Sequence, residues 1–288
     1  MDARRPLELV RHRPGPVLGG LVAGIVGMSE RTSGRVRRRQ PAGSLLPLVV
    51  SFGPPLRIDD HSDAVGAVGT HRSFFAGLST GYARTCFDGA QDCVQVYLTP
   101  LGARRVLGVP GVELARRVVP VDDVAPRLGS VLADRVGAAA TWTERFALVE
   151  AALVEQTAAQ EPGPPPWVDW MWEQVVASGG RATIGDLVRA TGWSQRHATA
   201  VFEREVGLTP KQAAGVVRFE AAAADLARLP PAEVAARHGY YDQSHLSRAV
   251  VRYAGETPGA LAAARRPTPQ TALAGSLAPD GGRRATRR

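Results

Sequence analysis

Apolar residues follow two different rhythms on either side of a proline run at 161–166, EPGPPP. Upstream, Leu46–Phe52 is a short buried-strand run closed by Gly53, Pro54 and Pro55. Cys93–Leu98 alternates, which places Val94, Val96 and Leu98 on one face of a strand. Thr141 with Glu144 three residues later is a capping box, and it predicts a helix to about Ala159 with Phe146, Val149, Leu153 and Val154 as its apolar stripe. Asp122–Val136 also reads as helical, capped by Asp122 despite Pro126. The expectation for this half is a small sheet or barrel followed by two helices.

Downstream the strand signals stop and helix caps recur. Thr183 caps a helix whose stripe is Ile184, Leu187 and Val188, and Gly192 ends it. Ser194 then caps a second helix, with Trp193 as a hydrophobic staple and Ala198, Val201, Phe202 and Val206 on its inner face. Gln195, Arg196, Thr199, Ala200 and Arg204 fall on the opposite face, and Gly207 is the stop. Two short helices around a glycine turn are the helix-turn-helix pattern.

The pattern repeats further along the chain. A short helix Glu233–His238 ends at Gly239, Tyr240 takes the place of Trp193, and Asp242 caps a helix reaching about Tyr253. Leu246, Ala249, Val250 and Tyr253 form its inner stripe, while Gln243, Ser244, Ser247, Arg248 and Arg252 point away. Between the units, Thr209 and Pro210 start a helix expected to run to Leu229, where Pro230 and Pro231 stop it. About 20 helical residues span roughly 30 Å, close to the ~34 Å of one DNA turn, so two such units could enter successive major grooves.

Residues 239–250, GYYDQSHLSRAV, followed by Gly255, Glu256, Thr257 and Pro258, resemble the second helix-turn-helix of AraC/XylS-type transcription regulators. Residues 192–202 with 207–211, GLTPK, resemble the first. The resemblance covers about 170–262 and implies a seven-helix DNA-binding domain with two recognition helices. Carried over by position, it implies groove-facing roles for Arg196 and Thr199 in the first, and for Gln243, Ser244, Ser247 and Arg248 in the second. Ala200 stands where the family usually has a basic residue, which predicts fewer contacts from the first helix. Leu48–Pro55 and Leu101–Pro110 resemble the sensor half of some such regulators, which implies a small-molecule effector or dimerisation there.

Charge changes this picture only slightly. The chain has 35 basic and 27 acidic residues, net +8, but the excess sits near the two ends, so charge alone does not identify a DNA-binding segment. Lys211 is the only lysine. The apolar stretch Val17–Met28, interrupted by four glycines, is too short to span a bilayer, so no membrane association and a cytoplasmic location are expected. Cys86 and Cys93, with a turn expected between them, read as buried reduced thiols; the enzymatic alternative makes one of them a thiol-reactive or alkyl-accepting group coupled to DNA binding. Asp59, Asp60, His61 and Asp63 read as a charged loop rather than a metal site. No phosphate loop or nucleophile elbow appears, so neither catalysis nor a cofactor is expected.

The expected organisation is an α+β N-terminal domain at 1–160, a proline linker at 161–166, an all-α double helix-turn-helix domain at 167–267, and a disordered basic tail at 268–288. The expected function is sequence-specific transcription regulation, non-catalytic, with a DNA face made of Gln195, Arg196, Thr199, Arg204, Gln243, Ser244, Ser247, Arg248 and Arg252. The partners expected with it are double-stranded DNA, RNA polymerase and a small-molecule effector, with a homodimer as one possible assembly.

Overall fold

A computed structural model describes residues 7–63, 68–160 and 163–263. The expected tail at 268–288, and Glu161 and Pro162 of the linker, lie outside the described residues. The chain has an N-terminal α+β half and an all-helical C-terminal half with two helix-turn-helix units.

Eight antiparallel strands form the N-terminal sheet: β1 Leu7–His12, β2 Val22–Gln40, β3 Leu46–Ser51, β4 Leu56–His61, β5 Gly69–His71, β6 Phe74–Ala76, β7 Ala83–Leu98 and β8 Val118–Pro120. The long strands β2 and β7 pair along most of their length and form its spine. The other edge of β7 is shared, with β3 on its second half and β4 on its first. Both faces of the sheet carry buried apolar clusters. Val94, Val96 and Leu98 share one face as expected, packing in the main core with Leu48 and Val50. The opposite face carries a second cluster of Met28, Val49, Leu56, Ile58, Phe74, Phe87, Cys93 and Val118.

Short helices α1 Pro100–Leu107, α2 Gly111–Leu114, α3 Val121–Val124 and α4 Ser130–Ala138 precede the long α5 Trp142–Ala158. The capping box of α5 forms as expected: Thr141 Oγ1 accepts from the Glu144 amide, and Glu144 accepts from the Thr141 amide. Phe146, Val149 and Leu153 bury against the sheet core.

Four expectations are corrected here. The helix foreseen over 122–136 is broken into α3, a 3-10 turn at Pro126–Leu128 and α4, because the proline lacks the amide a continuous helix needs. Asp122 caps the later piece, its carboxylate accepting from the Ser130 amide and hydroxyl. No turn separates Cys86 from Cys93; both lie on β7. Asp59, Asp60 and His61 belong to β4 rather than to a loop.

The C-terminal half contains seven helices among the described residues: α6 Pro166–Ala177, α7 Ile184–Thr191, α8 Gln195–Val206, α9 Pro210–Leu226, α10 Pro231–Arg237, α11 Gln243–Ala254 and α12 Pro258–Ala263. The connecting helix α9 ends three residues before Leu229, since the residue ahead of a proline is pushed out of helical geometry. The amides of Arg228 and Leu229 close that end on the Asp225 carbonyl. At 17 residues it spans about 25 Å rather than 30. Helix α10 starts at Pro231 without a side-chain cap, two residues earlier than Glu233. One apolar cluster runs on from the sheet core through Met171, Phe202, Phe219 and Leu246, so the two halves share packing.

Candidate nucleic-acid interface

Both helix-turn-helix turns are built alike. Gly192 and Gly239 sit at φ 76° and 69°, left-handed conformations that glycine adopts without a Cβ clash, so each chain reverses within a few residues. Ser194 Oγ accepts from the His197 amide at 3.3 Å and starts α8. Asp242 accepts from the His245 amide at 2.6 Å and starts α11. The Thr183 side chain, expected to cap α7, makes no cap hydrogen bond. Trp193 is half exposed and packs on His197 with ring centroids 4.4 Å apart, whereas its counterpart Tyr240 is buried edge-on to His245. His245 also accepts the Tyr241 amide at Nδ1 and so supports the cap.

The nine residues expected on the DNA face divide into two groups. Gln195, Arg196, Gln243, Ser244 and Arg248 are exposed, and Thr199 and Ser247 are half-buried beside them. Gln195 Nε2 donates to Thr199 Oγ1 at 3.4 Å, and the Ser247 hydroxyl donates back to the Gln243 carbonyl at 2.9 Å. Among the described residues no hydrogen bond or ion pair holds Arg196 or Arg248, so both guanidiniums remain available to an acceptor. Tyr241, just ahead of α11, is 93% exposed.

Arg204 and Arg252 are placed differently, each near the C-terminal end of its helix and engaged. Arg204 Nε donates to Glu205 Oε1 at 2.8 Å, and the same buried carboxylate accepts from Arg104 of α1 through Oε2 at 3.2 Å. Arg252 Nη2 donates to Thr80 Oγ1 at 3.2 Å. The Arg104–Glu205 and Arg252–Thr80 contacts each connect a recognition helix to the N-terminal half.

Further bonds reinforce the second connection. The Ala42 amide donates to the Tyr253 carbonyl at 2.8 Å, and Arg39 pairs with Glu256 at 3.4 Å. Thr80 is itself fixed, its amide and hydroxyl both donating to Asp63 Oδ2 at 2.8 and 2.7 Å, with Arg116 at 3.3 Å from the same oxygen. Burial alone would raise the Asp63 carboxyl; the Thr80 donors and Arg116 outweigh it and hold it below the ordinary carboxylate range. No local pattern could have marked the contacts of Thr80, Ala42, Arg104 or Glu205 between the halves, because each joins residues far apart in sequence.

Between β2, β3, β4, β6 and β7 the sheet forms a partly open cavity of about 130 Å³, lined by Val49, Leu56, Phe74, Phe87 and Tyr97 and by Arg38. Its rim includes Ala42, Ser79 and Gly81, in the two segments that dock α11. The thiols offer little reactivity. Burial, then the neighbouring Asp59, raises Cys86, and burial raises Cys93 to about 12. Among the described residues no group of three or more His, Cys, Asp or Glu could hold a metal ion, and no helix is long and apolar enough to cross a membrane.

Residues 187–264 match a family model described as a helix-turn-helix domain, of the AraC type. No curated protein matches the chain. Among solved structures, the C-terminal domain of AraT, a response regulator from Geobacillus stearothermophilus, is 23% identical over 36% of this chain and 89% of its own, with a TM-score of 0.33. ToxT from Vibrio cholerae O395 is 8% identical, covering 83% of this chain and 96% of its own, with a TM-score of 0.48. ToxT bound to (E)-4-(8-methylnaphthalen-1-yl)but-3-enoic acid is 7% identical over 90% and 98%, also at 0.48.

Proposed function

We propose, from the premise that residues 187–264 form an AraC-type helix-turn-helix domain, that this chain is a sequence-specific, double-stranded-DNA-binding transcription regulator controlled through its N-terminal half. The observation that carries the reading is the division of each recognition helix. Its N-terminal, outward part is bare, with Arg196 on α8 and with Gln243, Ser244 and Arg248 on α11. Its C-terminal part is docked on the N-terminal half through Glu205 or Arg252.

In this mechanism α8 and α11 enter successive major grooves, and base edges are read by Arg196, Thr199, Gln243, Ser244, Ser247 and Arg248. A small-molecule effector occupies the N-terminal cavity, and the segments around Ala42 and Thr80 relay its presence to α11. The response is recruitment or obstruction of RNA polymerase, with a homodimer as the assembly that adds affinity. The protein is non-catalytic and cytoplasmic in this reading, and needs no cofactor.

Selection of bound fragments from sheared genomic DNA, followed by footprinting, tests it. The expected result is an enriched motif with two protected major-groove segments about 10 base pairs apart per chain. Absence of any enrichment at low salt would rule the reading out. A single protected groove would limit it to one active unit.

A further inference from the structure

We infer that the cavity of the N-terminal sheet binds an uncharged, largely apolar molecule of about one ring in size, anchored by a hydrogen-bond acceptor at Arg38. This rests on the effector-site reading above and adds the chemical class. Size comes first. A dry protein cavity of about 150 Å³ accommodates benzene, so a cavity of about 130 Å³ suits one ring or a short branched chain. Val49, Leu56, Ile58, Phe74, Phe87 and Val118 supply apolar walls, as ligand pockets generally require.

Charge decides the class. Among the described residues the cavity's basic side chains are Arg38 and His61. Burial pushes the His61 imidazole below its ordinary range, against the pull of Asp63 and Asp60, so it is neutral at pH 7. The Arg38 guanidinium lies over the Phe87 ring at 5.5 Å and is already paired: its Nη2 donates to Glu30 Oε1 at 2.7 Å, with side chains only 14% and 9% exposed. The cavity is therefore electrically balanced before any ligand arrives. A carboxylate entering it would place two anions about one guanidinium in a medium of low dielectric, which is strongly unfavourable. A neutral carbonyl or hydroxyl meets no such repulsion.

Unused hydrogen-bonding capacity remains. Buried Arg38 Nε and Glu30 Oε2 have no partner, a costly state for polar atoms out of water. Arg38 borders the cavity, so modest side-chain adjustment can present an N–H to a ligand acceptor. The nearby Tyr97 hydroxyl is spent on Gln95, donating to Oε1 at 2.8 Å. Arg38 is thus the anchoring donor, and Glu30 is the residue that sets the preference for a neutral ligand.

The test titrates the full chain with four single-ring probes that differ in head group: benzamide, benzyl alcohol, benzoate and benzylammonium, followed by calorimetry and by the shift in melting temperature. The two neutral probes are expected to bind about tenfold tighter than benzoate, the ratio that one uncompensated charge interaction readily supplies. Ala76→Leu, which fills the cavity from its wall, should abolish that binding while leaving a cooperative melt. Glu30→Gln should reverse the order in favour of benzoate, because the guanidinium then lacks a counter-charge. If Glu30→Gln does not fold, the ranking of probes by the wild-type chain decides alone. Benzoate binding the wild type as tightly as benzamide would overturn the neutral class while leaving an effector cavity in place. Silence of all four probes against folded wild-type chain would overturn both.

Discussion

Arg252 of α11 donates to Thr80 Oγ1 at 3.2 Å, and Thr80 in turn donates to Asp63, so the second recognition helix is tied to the N-terminal half by a short hydrogen-bonded chain. Arg252 also lies over its neighbour Tyr253, at 5.5 Å from the ring, which limits its freedom to turn elsewhere. If α11 has to shift to fit a DNA groove, as the proposed control through the N-terminal half requires, this tie is a restraint to be released first.

Thr80→Val keeps the shape and removes the acceptor. A single hydrogen bond to a charged group contributes about 1.5–3 kcal/mol, less where water competes. We expect the variant to bind its DNA site about three- to tenfold tighter and to respond less to effector, because part of the releasing work is already done. Titration of wild type and variant against a selected fragment checks this. Equal or weaker binding by Thr80→Val would mean that the tie does not restrain DNA binding.

A second prediction concerns Glu205, whose buried carboxylate accepts from Arg104 of α1 and Arg204 of α8. Its side chain is 5% exposed, whereas that of Arg204 is 55% exposed and can recover hydration when the pair is broken. Glu205→Gln should therefore cost about 2 kcal/mol, below the 3–5 typical of a fully buried pair. Denaturant unfolding would read it as a lower midpoint with an unchanged slope. An unchanged midpoint would show that the two arginines find equivalent partners without it.

The corner between α9 and α10 gives a pH dependence. Asp225 takes the His238 ring Nε2 at 2.9 Å and Arg237 at 3.5 Å. The His238 hydrogen bond, ahead of the nearby positive charges and against burial, lowers the Asp225 carboxyl. A carboxylate whose folded value is depressed adds stability that is complete above its unfolded value of about 4 and is lost as pH falls through the folded value. The difference in melting temperature between wild type and Asp225→Asn should thus persist down to about pH 4 and close below it. A difference that closed well above pH 4 would assign the effect to another group.

The helix-turn-helix units were legible because everything that specifies them is local. Ser194, Gly192, Asp242 and Gly239 act within four residues of the amides and turns they control, and the Leu246, Val250 and Tyr253 stripe repeats at helical spacing. The N-terminal half was legible only in part. β2 reads as mixed polar sequence because its second half carries Arg31, Arg35, Arg37, Arg38 and Arg39, and its register is set by pairing with β7, from Gln40 with Ala83 to Val22 with Leu98, far along the chain. Arg204 and Arg252 fall on the outward face by periodicity, and the distant contacts beside them, Glu205 with Arg104 and Arg252 with Thr80, cannot be read from that face. Capped local motifs reveal themselves in sequence, while a long-range sheet and an interdomain tie do not.

The last prediction separates base reading from phosphate contact at Arg248. This residue lies one turn beyond Ser244 on the exposed side of α11, opposite buried Leu246 and Val250, and no partner holds it among the described residues. Its planar guanidinium can donate two hydrogen bonds to guanine O6 and N7, a geometry that lysine does not reproduce. Arg248→Ala should then cost about 1–3 kcal/mol, with the loss concentrated at one base pair. A phosphate contact would instead weaken binding evenly across sequences and reduce the salt slope by about one unit. Single-base variants of a selected site, titrated at two salt concentrations with wild type and Arg248→Ala, distinguish the two outcomes. Arg252→Ala is the internal control: tied to Thr80 rather than exposed at the groove-facing end, it should leave the base preference unchanged. If Arg248→Ala discriminates every position as well as wild type does, specificity from this helix must come from Gln243, Ser244 and Ser247 or from DNA shape.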